Sequence, residues 1–342
     1  MAKLVESVPN FSEGRRLDVV EKLALAVTSI PGVHLLDRTS DASHNRSVLT
    51  LAGAPNPVQD ALERAVGVAV HEIDMEEHSG EHPRIGAVDV IPFVPLGDST
   101  LDDCVALARE FAARIATRFD LPVYLYAAAA TRPDREKLAD VRRGQYEGLK
   151  AEISSRGREP DFGRHRMHPS AGAVAVGARP FLIAYNINLE SADVDLAKRI
   201  ARRIRESGGG LPRVQANGFW IEELACAQVS MNLLDFTVTS MWQVWEMVRA
   251  EAAEDDVELR ESELIGLAPL AALLDVADRA GASTESTVEA RLAAAAEFIK
   301  LRDFSPLQAL ELKLEAAERA ALAAGTQDVA AMSSDRPHSG LG

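Results

Sequence analysis

Residues 85–96, IGAVDVIPFVPL, constrain the fold more than any other stretch of the chain. The run is apolar and β-branched and is bracketed by Pro83 and Pro95, so it predicts a buried strand whose entrance and exit the prolines fix. Just before it stand Glu81, His82, Pro83 and Arg84: a carboxylate, an imidazole and a guanidinium within four residues. Pro83 restricts the backbone of His82 to extended conformations, and the strand anchors the ring with little freedom. A turn of this kind can hold a proton-transfer group still; it can equally hold a histidine that only braces the strand.

The neighbouring segments follow a β-α-β-β-α-β order. Residues 3–10 predict a strand, and Leu17, Val20, Leu23, Ala24 and Val27 recur at helical spacing before Pro31 and Gly32 stop the helix. Two strands, 33–36 and 47–51, flank the polar connection DRTSDASHN, and Pro57 opens a helix with Val58, Ala61, Leu62, Ala65, Val66, Ala69 and Ile73 on one face. The strand at 85–96 closes the unit. A helix over 99–119, a strand over 122–130 and a charged, irregular connection over 131–168 with one short helix near 145–153 come next.

The second half predicts the same order again: strand 181–189, a helix from Ser191 to Gly208, strands near 212–220 and 225–234, a helix over 240–253 and an apolar segment at 263–274. Residues 285–324, rich in alanine and leucine, predict two helices flanking residues 304–306. The expected fold class is α+β: two ferredoxin-like α/β subdomains at 1–178 and 179–284, a helical extension at 285–325 and a disordered tail at 326–342.

A net charge of −15 argues against general attraction to nucleic acid or to an anionic membrane surface, so any anionic ligand must meet a local basic patch. Cys104 and Cys226 are too few for a disulfide framework or a cysteine metal site. The first residues, MAKLVESVPNF, carry no apolar leader, and no run reaches membrane-spanning length; the expectation is a soluble cytoplasmic protein.

Three clusters can carry chemistry. Residues 71–84 hold His71, His78 and His82 among five carboxylates, but position 75 is Met75, so the zinc order H-E-x-x-H is absent and no metal is expected. Residues 156–179 set Arg156, Arg158, Arg164, Arg166 and Arg179 against Glu159 and Asp161, a formal +3, and end in the glycine-rich HPSAGAVAVGAR, where backbone amides can approach a ligand. Asn10, Asn45, Asn186, Asn188 and Asn232, with Gln228, fall at or near strand ends; neutral amides suit the edge of a pterin or an amidine, and turn formation explains any one of them equally well.

Taken together, LVESVPNFSEGR (4–15), HNRSVLTLAG (44–53), GEHPRIGAVDVIPFVPL (80–96), PVYLY (122–126), HPSAGAVAVGAR (168–179), FLIAYNINL (181–189), AQVSMNLLDF (227–236) and ELIGLAPLAALL (263–274) resemble the glutamate formimidoyltransferases, the transferase part of formiminotransferase-cyclodeaminases. The resemblance runs in order from about residue 3 to 275. It implies two ferredoxin-like subdomains with the substrates between them, a homodimer, and transfer of a formimidoyl group from N-formimidoyl-L-glutamate to tetrahydrofolate as co-substrate, without metal.

It further implies His82 as the proton shuttle and residues 163–172 as a folate-contacting segment. An imidazole near pKa 6.5 can take the surplus proton of the attacking nitrogen and deliver it to the leaving glutamate nitrogen. Animal members carry an acidic residue where this chain has Thr39, so Asp37 or Asp41 would supply any equivalent carboxylate, and either Glu81 or Asp41 is expected to hold the tautomer of the imidazole. The expected substrate contacts are Asn10, Asn45, Arg46, Arg84, Gly163, Arg164, Arg166, His168, Pro169, Gly172, Asn188, Gln228 and Asn232. Residues 285–342 are too short and alanine-rich for a cyclodeaminase half, so no channelling within one chain is expected. The alternatives are formyl transfer from N-formylglutamate and a non-catalytic folate-binding protein that kept the fold.

Overall fold

A computed structural model describes residues 2–334, with the side chains of residues 2–323. The chain divides into two units, Met1–Leu182 and Ile183–Gly342.

The first unit contains β1 (Lys3–Ser7), β2 (Asn10–Phe11), α1 (Leu17–Thr28), β3 (Val33–Asp41), β4 (Arg46–Gly53), α2 (Pro55–Glu72), β5 (Val88–Gly97), α3 (Leu101–Phe119), β6 (Val123–Ala127), α4 (Leu138–Val141), α5 (Gln145–Glu152) and β7 (Val174–Ala178). Both β1 and β2 pair antiparallel with β4 and with β5, so they act as one strand interrupted at Pro9, which has no N–H to donate. With β3 on β4, the first four strand positions run β3, β4, β1/β2, β5, the ferredoxin-like order. Beyond β5 the sheet turns parallel: β7 lies between β5 and β6 and runs with both.

Apolar spacing explains the helices. In α3, Cys104, Leu107, Ala108, Phe111, Ala112 and Ile115 share one buried face, and Thr100 with Asp103 closes a capping box at its start. Phe111 meets Phe93 of β5 edge-on, with ring centroids 5.6 Å apart. The opposite side of the β5–β7–β6 region buries Val90, Tyr124, Tyr126 and Ala175 with Val141 and Leu149 of the α4–α5 segment.

Glycine is required where the turn before β5 crosses the segment leading into β7. Gly86 pairs with Gly172, and a Cβ on Gly86 would lie 2.0 Å from the Ala173 carbonyl oxygen. Gly172 has φ +72°, and its Cβ would lie 2.6 Å from the Ile85 oxygen.

The second unit contains β8 (Ile183–Leu189), α6 (Val194–Ile204), β9 (Val214–Ile221), β10 (Cys226–Leu233), α7 (Met241–Ala253), β11 (Leu259–Ile265), α8 (Leu270–Arg279), α9 (Val288–Phe298) and α10 (Leu310–Ser334). Its antiparallel sheet has the order β11, β8, β10, β9, again ferredoxin-like. Tyr185, Ile187 and Leu189 of β8 and Val229, Met231 and Leu233 of β10 are buried, while Asn186, Asn188, Gln228, Ser230 and Asn232 alternate with them onto the other face.

Three segments differ from the sequence expectation. β3 continues through Asp41, because an edge strand tolerates the polar residues that read as a connection. Five residues of the glycine-rich stretch 168–179 form the buried strand β7; its Val, Ala and Gly residues are hidden on both faces and show no alternation. The last strand of the second unit is Leu259–Ile265, and the apolar 263–274 divides at Gly266, φ +72°, into the end of that strand and the start of α8. The half-buried LRESELI hides this strand among charges. The expected disordered tail at 326–342 begins within α10, and residues 335–342 lie outside the described residues. No described helix is long and apolar enough to cross a membrane.

The backbone crossing is testable. Gly86→Ala should cost about 1–3 kcal/mol in urea unfolding, because neither facing strand can retreat. Gly148→Ala, inside α5 with open space around the position, should be neutral or stabilise by up to about 1 kcal/mol. Equal stability of the two variants would refute the crossing constraint.

Candidate active site

Asn45 ties together three loops of the first unit. It sits at φ 48°, a conformation that asparagine tolerates, between β3 and β4. Its side-chain oxygen accepts from the Gly14 amide (3.0 Å), its Nδ2 donates to the Ser79 carbonyl (3.0 Å), and its own carbonyl accepts from His78 Nε2 (3.1 Å). The other nitrogen of His78, Nδ1, accepts from Arg84 Nε at 3.3 Å, which fixes a neutral tautomer. Burial first, and then the Arg84 charge, push the His78 pKa down. Arg84 is buried; it forms a two-pronged pair with Glu147 (2.7 and 3.0 Å) and donates to Gln145 Oε1 at 3.1 Å.

Below this turn lies Asp89, fully buried in β5. It accepts the Ile85 amide at 3.0 Å and pairs with the Arg142 guanidinium. Burial pushes its carboxyl pKa up, and Arg142 pulls against that shift. Glu13, also buried, resolves the same contest differently. Burial opposes ionisation, but the Arg16 and Arg15 amides and the Arg16 side chain together hold its pKa below the usual value.

The half-buried His82 ring makes no hydrogen bond among the described residues and lies 6.5 Å, centroid to centroid, from the His44 ring at 67°. Burial is the main cause that lowers its pKa to about 3, followed by the charges of Arg46, Arg142, His44 and Arg84. Free His82 is therefore a neutral base at physiological pH. This moves its titration far below the ordinary imidazole range that the sequence suggests.

Asp41 partners His44, not His82: its Oδ2 lies 2.8 Å from His44 Nδ1, and its Oδ1 accepts the His44 amide at 2.8 Å. The exposed Glu81 side chain makes no hydrogen bond or ion pair among the described residues. Neither expected carboxylate thus reaches His82. The side chain of Arg46, half-buried at the start of β4, likewise makes no hydrogen bond or ion pair among the described residues. Burial and the neighbouring Arg142 lower its pKa, while Asp89 and Asp41 raise it. A partly desolvated guanidinium without an ion-pair partner, close enough to act on the His82 charge, suits a carboxylate ligand.

The other expected contacts separate by what they already hold. Asn10 Nδ2 donates to the Val8 carbonyl at 3.0 Å, and both ends of the Asn45 amide are used within the fold. His168 Nδ1 accepts the Ser170 and Ala171 amides (3.3 and 3.0 Å), bracing the turn at Pro169. Gly163, φ +88°, passes so close to Leu121 that a Cβ would lie 2.5 Å from its carbonyl oxygen. Arg164 and Arg166 are exposed and flank the Asp120 carboxylate at 2.9 and 3.5 Å. Gly172 belongs to the crossing with Gly86.

In the second unit, Gln228 Nε2 donates to Asn188 Oδ1 at 2.8 Å, and Asn188 Nδ2 donates to Glu261 Oε1 at 3.1 Å. Asn232 lies on the same sheet face, four residues beyond Gln228 along β10.

The structure therefore gathers His82, Arg46 and Arg84 around one turn and places Asn188, Gln228 and Asn232 on one sheet face. Sequence reasoning missed His44, Asp89, Arg142 and Glu147, and met His78 only as one member of the 71–84 cluster. Two signals were available: the Asp41-x-x-His44 spacing, and Asp89 as the lone charge in an apolar run. Among the described residues, no group of three or more His, Cys, Asp or Glu side chains is arranged to hold a metal ion.

Known proteins share this sequence at length. Residues 4–179 match the family model described as formiminotransferase domain, N-terminal subdomain, and residues 184–308 match that described as formiminotransferase domain. A glutamate formimidoyltransferase of Streptococcus pyogenes is 47% identical over 278 residues, 81% of this chain and 93% of that protein. One from Thermoplasma acidophilum is 46% identical over 276 residues, covering 80% and 91%. The formimidoyltransferase-cyclodeaminase of Rattus norvegicus is 45% identical over 283 residues, 81% of this chain but only 52% of the larger protein. With both family models matched along most of its length, the chain belongs to the formiminotransferase family.

Proposed function

We propose that the protein is an enzyme that transfers the formimidoyl group from N-formimidoyl-L-glutamate to tetrahydrofolate, releasing L-glutamate and 5-formimidoyltetrahydrofolate. The observation that carries this reading is the 47% identity, across 93% of its length, to a protein named glutamate formimidoyltransferase. The same reading implies a cytoplasmic homodimer working in one-carbon and histidine metabolism, with the folate as co-substrate.

The chemistry fits the turn at His82. A new bond forms between the folate nitrogen and the amidine carbon, the bond from that carbon to the glutamate nitrogen breaks, and one proton passes from the first nitrogen to the second. No oxidation state changes. The attacking folate nitrogen is an arylamine, so once bonded to carbon its N–H is strongly acidic, and even a weakly basic imidazole accepts that proton. The imidazolium so formed is a strong acid and readily protonates the more basic alkylamine that leaves. Substrate carboxylates settling near Arg46 add negative charge beside the ring, raise the His82 pKa and bring it closer to the working pH. Asp41 and His44 border this site, and Arg84 with Glu147 holds the turn in shape.

The deciding assay follows glutamate release from purified protein with tetrahydrofolate and either donor. Release from N-formimidoylglutamate supports the assignment; release only from N-formylglutamate would replace it with formyl transfer, and release from neither would leave a binding protein.

His82→Gln keeps a polar side chain of similar reach but loses proton exchange, so turnover should fall by about 10²–10⁴ with the melting temperature unchanged. Near-parental turnover would remove His82 from the mechanism. Arg46→Met should raise the Michaelis constant for the glutamate donor. It should also raise the His82 pKa in the free protein, read from the ring proton shifts by NMR titration, because one of the charges holding it down is gone while burial remains. An unmoved titration would show that Arg46 does not act on the ring. The sign also fixes the pH profile: His82 is neutral above about pH 3 in the free protein, so kcat/KM should show no acid limb near 6.5 that disappears in the Gln variant.

A further inference from the structure

The helical extension after α9 does more than cover the second unit. Residues 300–302 lie parallel along the outer edge of β11: the Ser262 amide donates to the Lys300 carbonyl (2.8 Å), and the Arg302 amide donates to the Ser262 carbonyl (3.0 Å). This alignment projects the Arg302 side chain onto the sheet face that carries the amides. Its guanidinium meets Glu263 Oε1 and Glu261 Oε1, the latter at 3.5 Å.

Each carboxylate in turn orients an amide. An ionised carboxylate only accepts, so it must face the NH₂ end of its neighbour. Glu263 Oε2 accepts from Asn186 Nδ2 at 3.3 Å, and Glu261 Oε1 accepts from Asn188 Nδ2 at 3.1 Å. The Asn188 oxygen is thereby turned toward Gln228, whose Nε2 donates to it at 2.8 Å. Two carbonyl oxygens remain at the ends of these chains, Asn186 Oδ1 and Gln228 Oε1, and neither accepts a hydrogen bond among the described residues. The residues that carry them, Asn186 and Gln228, are diagonal neighbours on one face of adjacent strands, offset by two in register, a separation of roughly 7–8 Å between residues.

We infer that Arg302 is a positioning residue that, through Glu261 and Glu263, sets Asn188, Gln228 and Asn186 so that this sheet face presents carbonyl oxygens to the N–H edge of a planar substrate group. That edge is either the aminopyrimidine of the folate or the amidine of the donor. Reversing any amide in the chain would set two acceptor oxygens face to face, so the polarity is set by the acidic pair at one end. Arg302 keeps those two neighbouring carboxylates on the same face without mutual repulsion. The inference rests on the proposed transferase reading for the identity of the ligand, but not for the orientation of the amides.

Glu261→Gln is the sharpest test, because it is isosteric and can donate or accept, so it releases the amide orientation while preserving packing. It should raise KM for one of the two substrates roughly tenfold, with kcat within about twofold of the parent. Whichever KM moves identifies the group that the face reads. Arg302→Met should do the same, Arg302→Lys should recover part of the loss, and the double variant should be no worse than the worse single one, since both act through one chain. A residue that merely anchored the extension would lower the melting temperature and leave KM alone. Folded variants with both KM values at the parental level would overturn the inference. If the parent catalyses no transfer, calorimetric titration with tetrahydrofolate and with N-formimidoylglutamate decides instead. A tenfold weaker binding of either by Glu261→Gln supports the oriented face, and equal binding refutes it.

Discussion

The geometry of the first unit turns on the buried carboxylate of Asp89. A charged group within an apolar strand is costly unless it is matched, and here it is matched twice: by the Ile85 amide from its own strand entrance and by Arg142 from the helical connection on the far side of the sheet. The first bond bends the chain between Arg84 and Val88, and the second anchors the α4–α5 segment from which Gln145 and Glu147 reach Arg84. Everything around His82 hangs from these two contacts. Removing the carboxylate would leave the amide and the guanidinium buried without a partner, a heavier penalty than the pair's own net contribution.

Electrostatics in this region run against the chain's average. A protein of net charge −15 collects Arg46, Arg84 and Arg142 around one imidazole, and burial first, then their summed field, keeps that imidazole unprotonated. Arg84 and Arg142 are spoken for by Glu147 and Asp89, whereas the Arg46 side chain has no ion-pair partner among the described residues. Under the proposed function, a substrate carboxylate would complete the arrangement.

Much of this was legible in the sequence, and the gaps have physical causes. Both ferredoxin-like orders follow from apolar periodicity, and the rigid strand after His82 is where its prolines and β-branched residues put it. Strands whose faces are alike escape such reading: β7 is buried on both sides by small residues, and β11 is half-charged. The basic stretch at 156–179 illustrates a second limit. Counted along the chain it is +3, yet Arg158 lies 3.3 Å from a Glu152 carboxylate oxygen, and Arg164 and Arg166 flank Asp120, carboxylates outside the stretch. The partner of His82 was misjudged for a related reason. Proximity in sequence offered Glu81 and Asp41, but hydrogen-bond direction within the β3–β4 turn commits Asp41 to His44. The asparagines are informative only as a set, since Asn45 serves the fold while Asn188 and Gln228 share a sheet face.

The position of β7 between β5 and β6 has a bearing on how the protein is made. Residues that flank it in space, up to Ala127, leave the ribosome first, so the nascent chain holds an unfilled slot in its sheet while the α4–α5 segment is still being synthesised. The turn carrying His82 gains its backbone support, the Ala87 amide on the Ala171 carbonyl and the Ala173 amide on the Ile85 carbonyl, only when that slot is filled. Vectorial synthesis therefore delivers the His82 imidazole early and its scaffold late, and a truncated chain ending before residue 171 would carry the histidine without this backbone support.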